Sequence, residues 1–484
     1  MSQRQINILF LASEADPFVK IGGLGDVAGS LPPAIQNLSN DTIKYDIRLA
    51  LPFYGVIKKK LPNLPKMGEF PLHTGGIIIQ TSIFEYTHRG IPVYFIDGAP
   101  IKEEDPVYGS NFVADSEKFV FFSLACLELP RFLKWRIDIL HANDWHTAVA
   151  IHQLSTQAVF RQSSPMPKKI LTLHNLPFMG AGSEDALTRF GIEPADDPHL
   201  PTWARTIPLP MGLASADRIV PVSRSYAQEI LTPEFGCGLE SFFKSHSEKI
   251  WGIINGIDNT GWDPASDKFI TSNFNVENLS GKISCKNTLL TELGLNLQPR
   301  TPLIVLISRM DQQKGVDLAI NSLRMIENLR WQAIILGSGD SKLESAAMDL
   351  ENSLPEKVRA KILFDSALSH RMYAGADILL MPSRYEPCGL SQLIAMRYGT
   401  LPVARATGGL KDTIRDVDKH GHGTGFLFSE ASANETVKAL KRSMEAYMQQ
   451  ERWNGLIRNA MDQDFSWNNS AKEYCALYQQ LIEK

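Results

Sequence analysis

Cysteine is scarce here: five residues, Cys126, Cys237, Cys285, Cys388 and Cys475, are scattered over 484 positions. An odd count without a close pair excludes a disulfide framework, a zinc ribbon and a C-x-x-C redox centre. It fits a reducing cytoplasm, or the stroma of a plastid for a plant-type mature chain. No apolar run approaches the roughly 18 residues of a membrane span. The opening, MSQRQINILFLASE, has almost no basic lead and runs into acidic residues, so no secretory signal is expected. Neither sign of charge dominates: 49 basic against 53 acidic residues leave a net charge of −4. That balance offers no basic patch for nucleic acid or an anionic membrane. Low-complexity segments and short-period repeats are absent too.

The length exceeds one ordinary core and implies two domains of roughly 200–250 residues each. Short β-branched runs alternate with helical stretches such as Glu117–Leu133 and Thr147–Leu154. Expected strands in the first half are Ile6–Ala12, Tyr45–Leu51, Ile91–Ile96, Asp138–His141, Lys169–Leu173 and Arg218–Val222. The second half offers Leu303–Ser308, Gln332–Leu336, Lys361–Phe364, Asp377–Met381 and Leu401–Ala404. Alternation of this kind means right-handed βαβ units and parallel sheets. The fold expected is therefore α/β: two doubly wound, Rossmann-like domains, 1–252 and 253–466, facing each other across a cleft. The boundary is set by the turn Asn255-Gly256-Ile257-Asp258. Ligands of such sheets bind at the carboxyl ends of the strands, so the residues just past each strand matter most.

After the first strand comes Lys20-Ile21-Gly22-Gly23-Leu24-Gly25-Asp26. Its glycines let backbone N–H groups approach an anion, a helix follows, and Lys20 adds a point charge. A plain glycine-rich turn is the competing reading. The dinucleotide fingerprint fits poorly, because Ser13–Val19 separates strand from glycines and the second strand ends in Leu51-Pro52-Phe53-Tyr54, without a ribose-binding acid. His141-Ala142-Asn143-Asp144-Trp145-His146 ends another strand. There Asp144 and His146 suit sugar hydroxyls, against a reading of Asp144 as helix N-cap and Trp145 as core. His174-Asn175 ends the next, and a lone histidine is as readily structural. In the second half, Arg309 and Lys314 flank a strand-to-helix turn and suit a diphosphate, unless they are solvated surface charges. Pro382-Ser383-Arg384-Tyr385-Glu386-Pro387-Cys388-Gly389-Leu390 follows the strand Asp377–Met381. Gly389 and Leu390 open a helix able to cap a phosphate, with Glu386 turned to a sugar or simply favoured by the helix dipole. Cys388 reads as packing, and Thr407-Gly408-Gly409 as a further anion-facing turn.

Together KIGGLGDV, HANDWH, TLHNL, NGID, SRMDQQKG, SHRMYAGAD, PSRYEPCGL and ATGGLKDT span nearly the whole chain. In this order they resemble the bacterial glycogen synthase and plant starch synthase family, ADP-glucose-dependent glucan synthases of the GT-B fold. The resemblance implies a retaining glucosyltransferase that extends the non-reducing end of an α-1,4-glucan such as glycogen or a malto-oligosaccharide. It implies a catalytic set of Glu386, Asp144, His174, Lys314 and Arg309. Donor contacts would come from Lys20, Gly22, Gly23, Arg309, Lys314, Phe364, Cys388, Gly389, Leu390 and Thr407, and acceptor contacts from Asp26, His146 and Asn175. No cofactor and no metal is expected, the diphosphate being neutralised by Lys20, Arg309 and Lys314. The segment 467–484 is expected to cross back onto the first domain, and the domains to close over the donor against water. The chain departs from the family pattern at Lys118, Pro177, Met179, Pro210, Phe364 and Ser366. Rival readings are another retaining GT-B transferase, disfavoured by Ile394 where many of those carry a second Glu, a non-catalytic glucan-binding or priming protein, and a dinucleotide oxidoreductase.

Overall fold

The computed structural model describes residues 3–109, 111–156, 165–419 and 422–483. The chain divides into two compact domains, Met1–Gly256 with Trp467–Lys484, and Ile257–Ser466. Residues 253–256 thus belong to the first domain rather than the second. The reason is local: the Ile253 N–H donates to Pro221 O at 3.0 Å, and the side chain is fully buried in the first core.

The first domain holds strands β1 (Arg4–Leu11), β2 (Ile43–Pro52), β3 (Lys66–Thr74), β4 (Ile77–His88), β5 (Ile91–Asp97), β6 (Ile139–Asn143), β7 (Lys168–Leu173) and β8 (Arg218–Pro221). They form one sheet in the order β3-β4-β5-β2-β1-β6-β7-β8. The pairings from β5 to β8 are parallel, while β3 and β4 add an antiparallel edge. That edge hairpin was not among the expected strands. It turns on Gly75-Gly76, whose φ values of 53° and 75° suit the two-residue turn only glycine makes without strain. The central strands are buried on both faces, as parallel strands under helices must be. Each fully buried Ile or Leu there contributes about 1.5–3 kcal/mol.

Helix Trp467–Glu483 belongs to this domain, and the spacing of Trp467, Ala471, Tyr474, Tyr478 and Leu481 buries one face of it. Tyr478 OH lies 2.7 Å from His141 Nδ1, and Ser470 Oγ donates to Ile254 O at 2.6 Å. His141 also meets Thr172 Oγ1 at 2.7 Å, so it is a satisfied core histidine.

The second domain carries β9 (Leu303–Ile307), β10 (Gln332–Leu336), β11 (Val358–Lys361), β12 (Ile378–Met381), β13 (Leu401–Arg405) and β14 (Phe426–Phe428), in the order β11-β10-β9-β12-β13-β14. Every pairing is parallel. The strand expected at Lys361–Phe364 lies earlier in the chain. Val358 is the buried residue that pairs with β10, whereas Leu363 and Phe364 are exposed beyond the sheet edge. The short β14 was not expected either. No helix among the described residues is long and apolar enough to cross a membrane.

Candidate active site

In the first domain β1, β6 and β7 are adjacent and parallel, so their carboxyl ends open on one edge of the sheet. Asp144 follows β6 directly, in a left-handed conformation (φ 54°) that is unusual for a residue other than glycine. Its carboxylate does not cap the following helix. It accepts the His174 N–H at 2.7 Å instead, so the N-cap reading fails. His174 Nε2 lies 3.0 Å from Asn143 Oδ1, while Asn143 Nδ2 donates to Leu11 O at 2.9 Å. An amide oxygen only accepts, so His174 Nε2 carries the hydrogen and Nδ1 is the basic nitrogen of the neutral ring. Burial holds that ring neutral, with a pKa near 3. Asn143 thus ties the ends of β1, β6 and β7 together, a role the sequence did not reveal.

Glu14 is the second residue missed. It is 2% exposed and sits in the stretch between β1 and the glycines. Its carboxylate accepts the N–H groups of Ile21 and of Gly22, the latter at 3.0 Å. Desolvation raises its pKa, while those N–H groups lower it. Two backbone donors of the glycine-rich loop are therefore engaged within the protein, not presented to an anion. Lys20 is likewise held, its Nζ 2.5 Å from Asp26 Oδ1. A Cβ at Gly25 would come within 3.2 Å of Glu14 Oε2, so this glycine lets helix Gly23–Gln36 approach the carboxylate.

Desolvation lifts the Asp144 pKa to about 7, against the N–H bonds from His174 and Asn175, with the nearby Glu14 charge adding to the rise. Between the ordinary value of 3.8 and about 7, the folded chain keeps a proton that the unfolded chain has released. The Asp144 contribution to stability is then greatest below that window and falls as pH rises through it, by ~1.4 kcal/mol per pH unit at most. Asp144→Asn keeps an acceptor oxygen and removes the titration. His146 and His174, neutral when folded but charged in the unfolded chain below their ordinary 6.5, add a slope of the opposite sign, so urea unfolding across pH 4–7 should show stability rising more steeply with pH in the variant than in the parent. An unchanged slope would mean that Asp144 is ionised throughout.

His146 is buried against Tyr108, Phe119 and Trp145, and burial with the Lys118 charge takes its pKa to about 3. Its Nδ1 and the Asn175 Oδ1 are buried polar atoms without a hydrogen-bond partner among the described residues. Trp145 packs, as expected, and a Cβ at Gly180 would lie 2.6 Å from its ring. Lys118 is fully buried and donates to Pro106 O, Val107 O and Asp115 Oδ1 at 3.0, 2.9 and 2.7 Å. It serves as a structural cation. Among the other departures, Pro177 is exposed, Met179 and Pro210 are buried, and Ser366 opens a helix capped by Asp365, which accepts the Leu368 N–H at 2.8 Å.

In the second domain β12 lies between β9 and β13, and the three turns at their carboxyl ends fit together through glycines. A Cβ at Gly315 (φ 66°), after β9, would stand 2.1 Å from Pro382 O. After β13, a Cβ at Gly408 (φ 44°) would stand 2.0 Å from Glu386 O, and one at Gly409 would stand 2.0 Å from Cys388 O. The turn 382–390 is thus gripped from both sides by backbone that only glycine permits. Within it Glu386 is 4% exposed. Lys314 Nζ donates to both its oxygens, at 2.8 and 2.7 Å, and Ser383 Oγ to one at 3.2 Å. Arg384 chelates Asp317 at 2.8 and 2.7 Å, fixing the turn on the helix after β9.

Gly389 (φ 75°) and Leu390 precede helix Ser391–Arg397, which starts two residues later than expected. Gln392 Nε2 donates to the carbonyls of Cys388 and Gly389 at 3.0 and 3.1 Å, so the N–H groups of Gly389 and Leu390, trans to those carbonyls, point away from it. Cys388 and Thr407 are buried. Arg309 is exposed, its Nη2 3.3 Å from Asp311 Oδ2, and Phe364 is 86% exposed. A cation over a buried carboxylate, beside a helix N-terminus, suits a sugar diphosphate better than a free sugar.

Comparison with known proteins agrees. Residues 7–245 match the family described as starch synthase catalytic domain, and residues 294–460 that of glycosyl transferases group 1. A glycogen synthase from Thermodesulfovibrio yellowstonii is 39% identical, covering 99% of this chain and 98% of its own. One from Clostridium perfringens is 38% identical, with 99% of each chain covered. The solved catalytic domain of starch synthase IV from Arabidopsis thaliana, bound to ADP and acarbose, superposes with a TM-score of 0.89 at 32% identity over 100% of both chains. Sucrose-phosphate synthase from Thermosynechococcus elongatus, at 18% identity and a TM-score of 0.62 over 99% of each chain, shares the fold. The chain belongs to the glycogen synthase and starch synthase family, glycosyltransferases of the GT-B fold.

Proposed function

We propose that this chain transfers glucose from ADP-glucose to the non-reducing end of an α-1,4-glucan, glycogen or a malto-oligosaccharide, with retention at the anomeric carbon. The observation that carries this reading is the Lys314–Glu386 pair, at 2.7 and 2.8 Å, in a turn gripped by glycines. The bond from the glucose C1 to the diphosphate oxygen breaks. The acceptor 4-hydroxyl attacks from the same face, and its proton passes to the departing phosphate oxygen. Lys314, Arg309 and the backbone before helix Ser391–Arg397 neutralise the leaving ADP, with Lys20 the cation of the first domain. Glu386 faces the sugar and steadies positive charge as it grows at C1.

In the first domain the neutral His174 ring, Asp144 and the unpartnered polar atoms of His146 and Asn175 suit hydroxyl groups of transferred and acceptor sugars. Asp26 joins them only if it releases Lys20. Phe364 is an open platform for an adenine ring, and Thr407 and Gly23 complete the donor set, joined by Gly22 only if Glu14 releases its N–H. None of the five cysteines forms a disulfide, as fits a reducing compartment such as the cytoplasm.

Removing Lys314 deletes a cation from the diphosphate and leaves the Glu386 carboxylate unopposed. Calorimetry should find ADP bound at least ~10-fold more weakly by Lys314→Ala, one charge-assisted contact being worth about 1.5–3 kcal/mol. Unchanged affinity would remove Lys314 from the donor site.

A further inference from the structure

Asp197, His199 and His246 lie apart from every motif above, yet each brings a ligating atom within 4.8 Å of the others. Among the described residues they are the one such cluster of His, Cys, Asp and Glu. Asp197 and His199 stand in the stretch between β7 and β8, and His246 ends helix Glu240–Ser245. We propose that these side chains bind a divalent transition-metal ion, with zinc the best fit.

Three features of the cluster support this. The His246 ring has its Nδ1 3.0 Å from Phe242 O, an atom that only accepts, so Nδ1 carries the hydrogen. The nitrogen turned to Asp197 is therefore Nε2, 3.2 Å from Oδ2. Nε2 and a carboxylate oxygen thus face each other, as two ligands of one cation do. A backbone carbonyl behind the ring is the usual device for orienting a ligating histidine. Second, the His199 N–H donates to Asp197 Oδ1 at 2.8 Å, which holds the carboxylate in place before any ion arrives. Third, His199 Nδ1 lies 3.3 Å from that oxygen. The two imidazole nitrogens thus approach the two oxygens of one carboxylate, His246 at Oδ2 and His199 at Oδ1, each at close to the ~3.3 Å that separates neighbouring ligands around a metal with bonds of ~2.0 Å. Two imidazoles and a carboxylate favour zinc over magnesium or calcium, and leave the fourth position to water. The ion would clip the stretch after the His174–Asn175 turn to the segment after β8.

The test is a titration of the metal-stripped full chain with zinc(II), read by calorimetry and thermal unfolding, and with cobalt(II), read by visible absorption. The expected result is one equivalent bound, a rise in Tm, and the intense cobalt bands of a four-coordinate site. Losing a partner behind a ligand weakens metal sites about 10–100-fold, so losing a ligand should weaken this one at least ~100-fold. His199→Ala removes a side chain that is 53% exposed, so the fold should survive. Asp197→Asn keeps the shape and should show the same loss. No binding by the parent chain would overturn the proposal. Equal binding by both variants would do so as well, placing the ion on other side chains.

Discussion

Glu386→Ala is expected to lower kcat by ~10²–10³-fold, the range lost when a single preorganised electrostatic contact to the transition state is deleted. Its ADP affinity should hold or improve. In the parent chain both Glu386 oxygens are occupied by Lys314. Deleting the carboxylate frees that ammonium for the diphosphate, so binding and turnover should move in opposite directions. Glu386→Gln keeps the shape and a contact with Lys314 but no charge, and should also be slow. A variant with normal turnover would rule out any part for Glu386 in the chemistry. A variant that loses turnover together with ADP binding and thermal stability would mean that the carboxylate only supports the turn.

Gly409→Ala is expected to cost ~3 kcal/mol or more, with a Tm lower by roughly 5–10 °C, because the new methyl group meets Cys388 O at 2.0 Å. The neighbour is backbone of the very turn that holds Glu386, and it cannot swing aside as a flexible side chain would. Activity should fall further than stability, since any relief shifts the turn that carries Glu386. Gly455→Ala is the control: nothing lies within 4 Å of its Cβ and it sits inside helix Gln450–Met461. That change should be neutral or stabilise by up to ~1 kcal/mol. Thermal unfolding of the two variants decides; equal Tm values would show that the β13 turn is free to retreat from the β12 turn.

Much of the architecture is legible because a buried parallel strand writes itself as a short apolar run. The polar residues after such a run, Asp144 after β6, His174 after β7, Glu386 after β12, mark the ligand edge. What was not legible has physical causes. The β3–β4 hairpin follows from Gly75-Gly76, a signal masked by reading the whole chain as alternating strand and helix. The apolar Ile362-Leu363-Phe364 suggested a strand, yet the edge strand β11 pairs through Val358–Lys361. Glu14 stood in a stretch taken as a spacer, and its engagement with the glycine-rich loop depends on a fold-back that spacing does not encode.

The Lys314–Glu386 pair joins residues from turns that only the order β9-β12-β13 makes neighbours. The sequence Thr407-Gly408-Gly409 suggests a flexible anion-facing turn, but the approach of Gly408 to Glu386 O and of Gly409 to Cys388 O makes both glycines close-packing positions first. Asp144 was weighed as a helix cap, and its left-handed backbone instead turns the carboxylate onto the His174 N–H. Each of these depends on which strands lie side by side, and a linear pattern does not carry that information.

The account rests on the reaction itself, so the most direct measurement is glucose incorporation into glycogen by the purified chain, with radiolabelled ADP-glucose and UDP-glucose compared. The account predicts that ADP-glucose supports elongation, with ADP released in step with each glucose added. Elongation from UDP-glucose alone would contradict the donor assignment, and no incorporation from either, with ADP still bound, would contradict the glucan synthase activity.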